Sequence, residues 1–259
     1  MKIVFKLFLF IKSIPIVRRI FAQQRLIKVN SNQVPKNIYM YWHQGIDSAP
    51  DICKECVQSW RNKNPNWQIN VLDAEEAEKL LSDLNIPENL TLASYSDLLR
   101  LVLLQRFGGV WVDATVLCNK PLDDWLPVIM NQTDFFCFSN PSRDRPIASW
   151  FLVAKKNSVI MDTWSNSASN YLSQLKEPPK AYFWMHYLFQ CLSFISKIFK
   201  RSIFQMPIIS AEPQHIVQNV LHGVQPETSL GAARQSPMQK LSYKHNYTIQ
   251  DVKSALNNE

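Results

Sequence analysis

"SYSDLLRLVLLQRFGGVWVDATV", residues 94–116, reads as a helix and a strand joined by two glycines. The run from Tyr95 to Phe107 is apolar almost all round, the pattern of a deeply buried helix. Gly108 and Gly109 stop that helix and turn the chain. "VWV" then suits a buried strand, and Asp113 follows it directly, with a hydroxyl two places on at Thr115. A carboxylate in so apolar a setting needs a partner, a metal or a substrate. Ser94 with Asp97 at the fourth position forms a capping box, so the helix is expected to begin there. From Asp97 the helix runs down about 15 Å. The strand then climbs back about 10 Å to Asp113. Both acids are therefore expected at one edge of a sheet, where open α/β sheets bind ligands. Arg100, three residues after Asp97, shares its helix face. A guanidinium among leucines persists only with partners. For Asp97 and Arg100 a plain helix cap and a structural ion pair are the competing readings; neither accounts for Asp113.

Outward from this core, strands and helices alternate. "IYMYW" (38–42) reads as a buried strand, followed by a helix opened by Ser48 and Pro50 and running to about Trp60. "WQINVL" (67–72) alternates as a second strand, and Asp73 with Glu76 boxes the start of the next helix. "DFFCFS" and "ASWFLVA" read as further strands, and "SVIMDTWSNSASNYLSQL" as a helix. The chain from residue 181 reads as helical and aromatic, and the last 50 residues as loop-rich, with turns near Pro213, Pro226 and Pro237. Alternation of this kind predicts an α/β domain with a mostly parallel central sheet.

The 259 residues, 46% of them apolar, suffice for a sizeable core and exclude a disordered chain. Five cysteines, an odd number without a regular framework, point to a reducing compartment. Cys53 and Cys56 make one C-x-x-C with no second pair, so two thiols on a helix are favoured over zinc. The net charge of +7 is concentrated at the start. Lys2, Lys6, Lys12, Arg18, Arg19, Arg25 and Lys28 precede the first acid, Asp47, and the other 21 basic residues balance 21 acids. Residues 1–33 thus form a basic, greasy arm before a neutral domain at 34–259. The apolar run is too short and too interrupted to span a bilayer, and no small-residue cleavage site marks a signal peptide. If helical, the arm suits an anionic membrane interface, each basic residue adding about 1 kcal/mol; an ordinary packed helix is the alternative. No basic patch with interleaved polar readers points to nucleic acid. "FISKIFKRSIF", with Lys197, Lys200 and Arg201, reads as a second membrane-facing stretch or a packed helix with a charged face.

The quoted core closely resembles the S-D-x-x-R…G-G-x-[WY]-x-D-x-[DT] pattern of glycosyltransferase family 32, which includes capsular polysaccharide synthesis proteins and yeast-type mannosyltransferases. "VPKNIYMYWHQG" is similar to the family's first strand, and "CVQSWRNKNPNWQINVLD" to the segment after it. The resemblance covers residues 34 to 160 well; beyond them only "SPMQKLSYK" is similar to capsular-type members. It implies a GT-A fold, a Rossmann-like nucleotide-sugar-binding sheet, a UDP- or GDP-sugar donor and a Mn2+ or Mg2+ ion. By the same resemblance Asp97 and Arg100 match donor-sugar and phosphate contacts. Asp113 matches the first acid of D-x-D, which reaches ribose and metal, and Trp42 the aromatic against the base. A divalent ion would neutralise the leaving diphosphate. The pattern departs at Thr115, where the second acid is often Asp; a hydroxyl is a weaker ligand for a hard cation, so metal affinity is expected to be low without donor phosphates.

His186 and His245 are candidates for a late metal ligand, a core histidine being the other reading of His186. Lys240, Lys244 and His245 in "KLSYKHN" are candidates for a lid over the diphosphate, or else a solvated basic loop. Together these features predict a hexosyltransferase that extends a capsule- or O-antigen-type surface glycan on a lipid-linked acceptor, at the cytoplasmic face of the cell membrane. The resemblance implies retention of anomeric configuration. No second carboxylate of the kind retaining glycosidases use stands out, so front-face attack guided by the donor's phosphate is expected. The rivals are a non-catalytic nucleotide- or glycan-binding relative and a phosphate-transferring hydrolase with Asp113 as nucleophile.

Overall fold

The computed structural model describes residues 33–224 and 230–257. The basic arm and the expected turn at Pro226 lie outside them. Strand β1 (Asn37–Tyr41) leads into helix α1 (Asp51–Lys63), strand β2 (Gln68–Leu72) and helix α2 (Ala74–Leu81). Helix α3 (Leu92–Phe107) returns into β3 (Gly109–Val112), and a tight turn leads to β4 (Val116–Cys118). After the short α4 (Leu126–Ile129) come β5 (Phe135–Ser142), β6 (Arg145–Ala154) and α5 (Val159–Ser173). Two aromatic helices, α6 (Trp184–Ile195) and α7 (Lys197–Gln205), are divided at Ser196, whose hydroxyl caps α7. The chain closes with α8 (Glu212–Leu221), α9 (Leu230–Gln235), β7 (Met238–Lys240) and α10 (Ile249–Asn257).

The main sheet has the order β2-β1-β3-β6-β5. β1 pairs in parallel with both β2 and β3, and β6 runs antiparallel to β3 and β5. Four of the five strands therefore point one way, the mostly parallel α/β sheet expected of a GT-A domain. The carboxyl ends of β1 and β3 open on the same edge as the start of β6.

α3 is the spine of this arrangement. Every residue from Leu98 to Leu104 is buried, so the helix is enclosed on all sides. It begins earlier than expected: Thr91, not Ser94, is the N-cap, and its hydroxyl accepts from the Ser94 amide at 3.2 Å. The competing cap one turn upstream wins, and Asp97 moves inside the helix, past the reach of the unpaired amides. At the other end Gly108 (φ 66°) and Gly109 (φ 102°) adopt left-handed conformations. A Cβ on Gly109 would lie 2.6 Å from the Asn37 carbonyl oxygen, so the hinge also demands the absence of a side chain.

The C-terminal stretch is richer in structure than its prolines suggest. Pro213 stands in the first turn of α8, where its missing N–H costs nothing, and so starts a helix. β7 pairs antiparallel with β4, Val116 opposite Lys240. This ribbon joins the last elements to α1, where Cys53 and Cys56 are buried with Leu117, Val217, Leu241 and Val252. Those two thiols are helix packing, and among the described residues no group of three or more His, Cys, Asp or Glu side chains is gathered to hold a metal.

Candidate active site

A cavity of about 640 Å³ opens at the carboxyl edge of the sheet, lined by Trp42, Asp97, Arg100, Asp113, Thr115, His186, Lys240 and Lys244 among others. Asp97 and Asp113, on helix and strand, are joined through one guanidinium. Arg100 Nη2 lies 3.3 Å from Asp97 Oδ1, and its Nη1 lies 3.6 Å from Asp113 Oδ1. The remaining donors are also engaged: Nε gives to the Ser96 carbonyl at 3.1 Å, Nη2 to the Ser96 hydroxyl at 3.0 Å, and Nη1 to the Ser149 carbonyl at 2.8 Å. The guanidinium also lies 5.0 Å from the centre of the Trp111 ring. The fork expected to grip a phosphate thus gives three hydrogen bonds to the protein, and its charge lies between the two acids.

Asp113 follows the last residue of β3, its amide donating to the Trp150 carbonyl at 2.9 Å. Its Oδ1 accepts from Trp111 Nε1 at 3.0 Å, a side chain two residues earlier on the same strand face. Its Oδ2 faces a second cation, Lys240 Nζ, at 4.0 Å. Thr115 lies not in a strand but in the turn between β3 and β4, closed by the Val116 amide on the Asp113 carbonyl. The Thr115 hydroxyl accepts from Lys240 Nζ at 2.5 Å. Burial lowers the Lys240 pKa, with Asp113 acting in the opposite sense. Burial likewise raises the Asp97 acid to about 6, Arg100 pulling it down and Asp113 pushing it up.

Around these charges the cavity is largely aromatic. Trp42 follows β1 and meets Tyr243 edge-on, ring centres 5.2 Å apart. Lys244 is exposed on the same loop. His186 and His215 line the opposite wall, both held near a pKa of 4 chiefly by burial, with Arg145 acting on each. One buried ring nitrogen on each, Nδ1 of His186 and Nε2 of His215, lacks a hydrogen-bond partner, as does Trp150 Nε1. Buried polar atoms normally find partners, so these three nitrogens are exceptions within the wall. Sequence reasoning missed His215, Trp150 and Arg145, which no local motif marks.

The expected metal ligands do not assemble. His245 is not among the lining residues; it is exposed and packs on His222, ring centres 3.8 Å apart. With Thr115 bound to Lys240, Asp113 is the one carboxylate left of the expected set, and it already lies between two cations. A divalent ion at Asp113 would face the Lys240 ammonium and the Arg100 guanidinium, whose positive charges oppose it, so the residues present do not fit a dication.

The chain matches the family described as capsular polysaccharide synthesis protein over residues 16–258. It is similar to the glycosyltransferase afumC of Aspergillus fumigatus, 26% identical over 166 residues, which cover 56% of this chain and 42% of that protein. It is also similar to the initiation-specific alpha-1,6-mannosyltransferase of Candida albicans, 29% identical over 110 residues, 37% of this chain and 28% of the relative. The match therefore spans less than half the length of either relative. Among solved structures, the glycosyltransferase GlyE of Streptococcus pneumoniae aligns with a TM-score of 0.49 at 9% identity, over 88% of this chain and 61% of that one.

Proposed function

The chain belongs to the capsular polysaccharide synthesis protein family, and from that premise we propose that it is a glycosyltransferase. It moves a hexose from a UDP- or GDP-sugar to a growing surface glycan on a lipid-linked acceptor. The observation that carries this reading is the buried Asp97–Arg100–Asp113 lattice facing two lysines across one cavity. In this reading the base stacks in the corner formed by Trp42 and Tyr243. Lys240 and Lys244 face the diphosphate, whose charge grows as the bond to the sugar breaks. Asp113 accepts from the ribose and Asp97 from a hydroxyl of the donor sugar, both held in place by Arg100. His186, His215 and Trp150 wall the part of the cavity that takes the sugar.

Transfer with retention needs no enzyme nucleophile. The acceptor oxygen attacks the anomeric carbon on the face the diphosphate leaves, and a diphosphate oxygen takes its proton. The neutral histidine wall adds no charge of its own to the site. The Mn2+ or Mg2+ of the family resemblance has no part in this scheme, because the positive charges beside Asp113 oppose it.

The reading includes a 34–259 catalytic domain working at the cytoplasmic face of the membrane. Two features support a lipid-borne acceptor: the seven basic residues of the arm, and the exposed face of α7. There Lys197, Lys200 and Arg201 stand with Phe204, which is 76% exposed, and no acid occurs between Glu177 and Glu212. Thermal shift against a panel of sugar nucleotides, followed by donor hydrolysis, tests the function. One class of donor should raise Tm and be cleaved; stabilisation without any cleavage would support the non-catalytic reading instead.

A further inference from the structure

The position where a second carboxylate would complete D-x-D is served by a lysine delivered from the far end of the chain. Lys240 ends β7, and the β4–β7 register sets it beside the Asp113–Thr115 turn. The Leu241 amide donates to the Thr115 carbonyl at 2.8 Å, which locks that register. The ammonium gives one hydrogen bond to the Thr115 hydroxyl at 2.5 Å and one to the Leu241 carbonyl at 3.1 Å. Its third N–H remains for a ligand oxygen, 4.0 Å from Asp113 Oδ2. We propose that Lys240 takes the place of the divalent cation, and that this chain binds and activates its nucleoside diphosphate without a metal.

One of the two charges that matter is reversed relative to a metal site. A two-acid site presents net negative charge and recruits a dication, which then bridges to phosphate. Here one acid and one built-in ammonium share the position, so the protein already carries the cation a diphosphate requires. Thr115 is then the residue that fits: a hydroxyl accepts from the ammonium and adds no charge. A carboxylate in its place would draw the lysine into a closed ion pair and away from the ligand. Lys244, on the same loop and lining the same cavity, adds a second positive charge. Arg100 is less suited to this role, because it bonds Ser96 and Ser149 and shares its charge with the two acids. The inference rests on the glycosyltransferase reading, since it presumes a nucleoside diphosphate in this cavity.

Calorimetry of UDP and GDP binding to the full chain, in EDTA and in Mn2+, tests it. The expected result is binding in EDTA with a Kd close to that in Mn2+, and loss of about tenfold or more for Lys240→Met under both conditions. The double variant Thr115→Asp with Lys240→Met restores a two-acid site, and its nucleotide binding should become dependent on Mn2+. If wild type binds the nucleotide only with Mn2+, the inference falls while the glycosyltransferase reading stands. If neither nucleotide binds under any condition, both fall. Should Lys240→Met not fold, the wild-type comparison decides alone, and Lys240→Arg, which keeps the charge, should retain binding in EDTA.

Discussion

At neutral pH burial works against the charge of Asp97. Burial raises its acid from 3.8 to about 6 despite Arg100 alongside. A carboxyl whose folded value lies above its unfolded one holds more protons when folded, so its contribution to stability falls as pH rises from near 4 to near 6. At 1.36 kcal/mol per pH unit the loss is at most about 3 kcal/mol. Asp97→Asn should therefore melt at or above wild type at about pH 7.5, with the advantage shrinking toward pH 4. The same variant should lose about 2–4 kcal/mol of transition-state stabilisation, read from kcat/KM with the preferred donor. For wild type, kcat/KM should fall as pH drops through about 6 and Asp97 takes up its proton. An Asn variant that melts well below wild type at neutral pH would return Asp97 to a structural role. Arg100 differs: removing it leaves two acids without their shared cation, and Arg100→Ala should cost about 3–5 kcal/mol in a denaturant titration. The core of this site was legible because Asp97, Arg100 and Asp113 sit on one helix–hinge–strand unit whose geometry follows from rise per residue. That the guanidinium also bonds Ser96 and Ser149 was not, because neither serine carries a signal of its own.

At the scale of elements, the hinge between α3 and β3 sets the height at which the two acids meet. Gly109 combines a left-handed backbone with a 2.6 Å approach of its missing Cβ to Asn37 on β1. Gly109→Ala should cost more than about 2 kcal/mol, since strain and clash add, and should lower soluble yield. A variant within about 0.5 kcal/mol of wild type would show that β1 and β3 can part there without loss. Helix α3 was readable from its unbroken apolar run, but its start was displaced, because two capping signals stand three residues apart and local sequence cannot rank them. α8 was read as loop for a related reason: a proline that opens a helix looks like one that breaks a chain. The β4–β7 ribbon left no trace at all. Two three-residue strands, with the whole of residues 119–237 between them, have neither periodicity nor a hairpin turn to announce them.

For the whole molecule, charge is divided between an arm that carries the excess and a body that is balanced. Deleting residues 1–30 should release the protein from anionic vesicles, and binding of the intact chain should weaken with salt over a Debye length of about 8 Å. If the truncated chain still sediments with vesicles, the exposed basic face of α7 is the anchor. The ribbon has a further consequence, in the order of synthesis. When the ribosome has made residues 1–160, the five strands of the main sheet and both acids exist, with Arg100 between the acids and Trp111 bonded to Asp113. The lysine that balances Asp113 arrives only at position 240, with the strand that covers β4. A nascent chain can thus build its sheet before the ammonium beside Asp113 exists, so the folding of the sheet precedes the charging of the site.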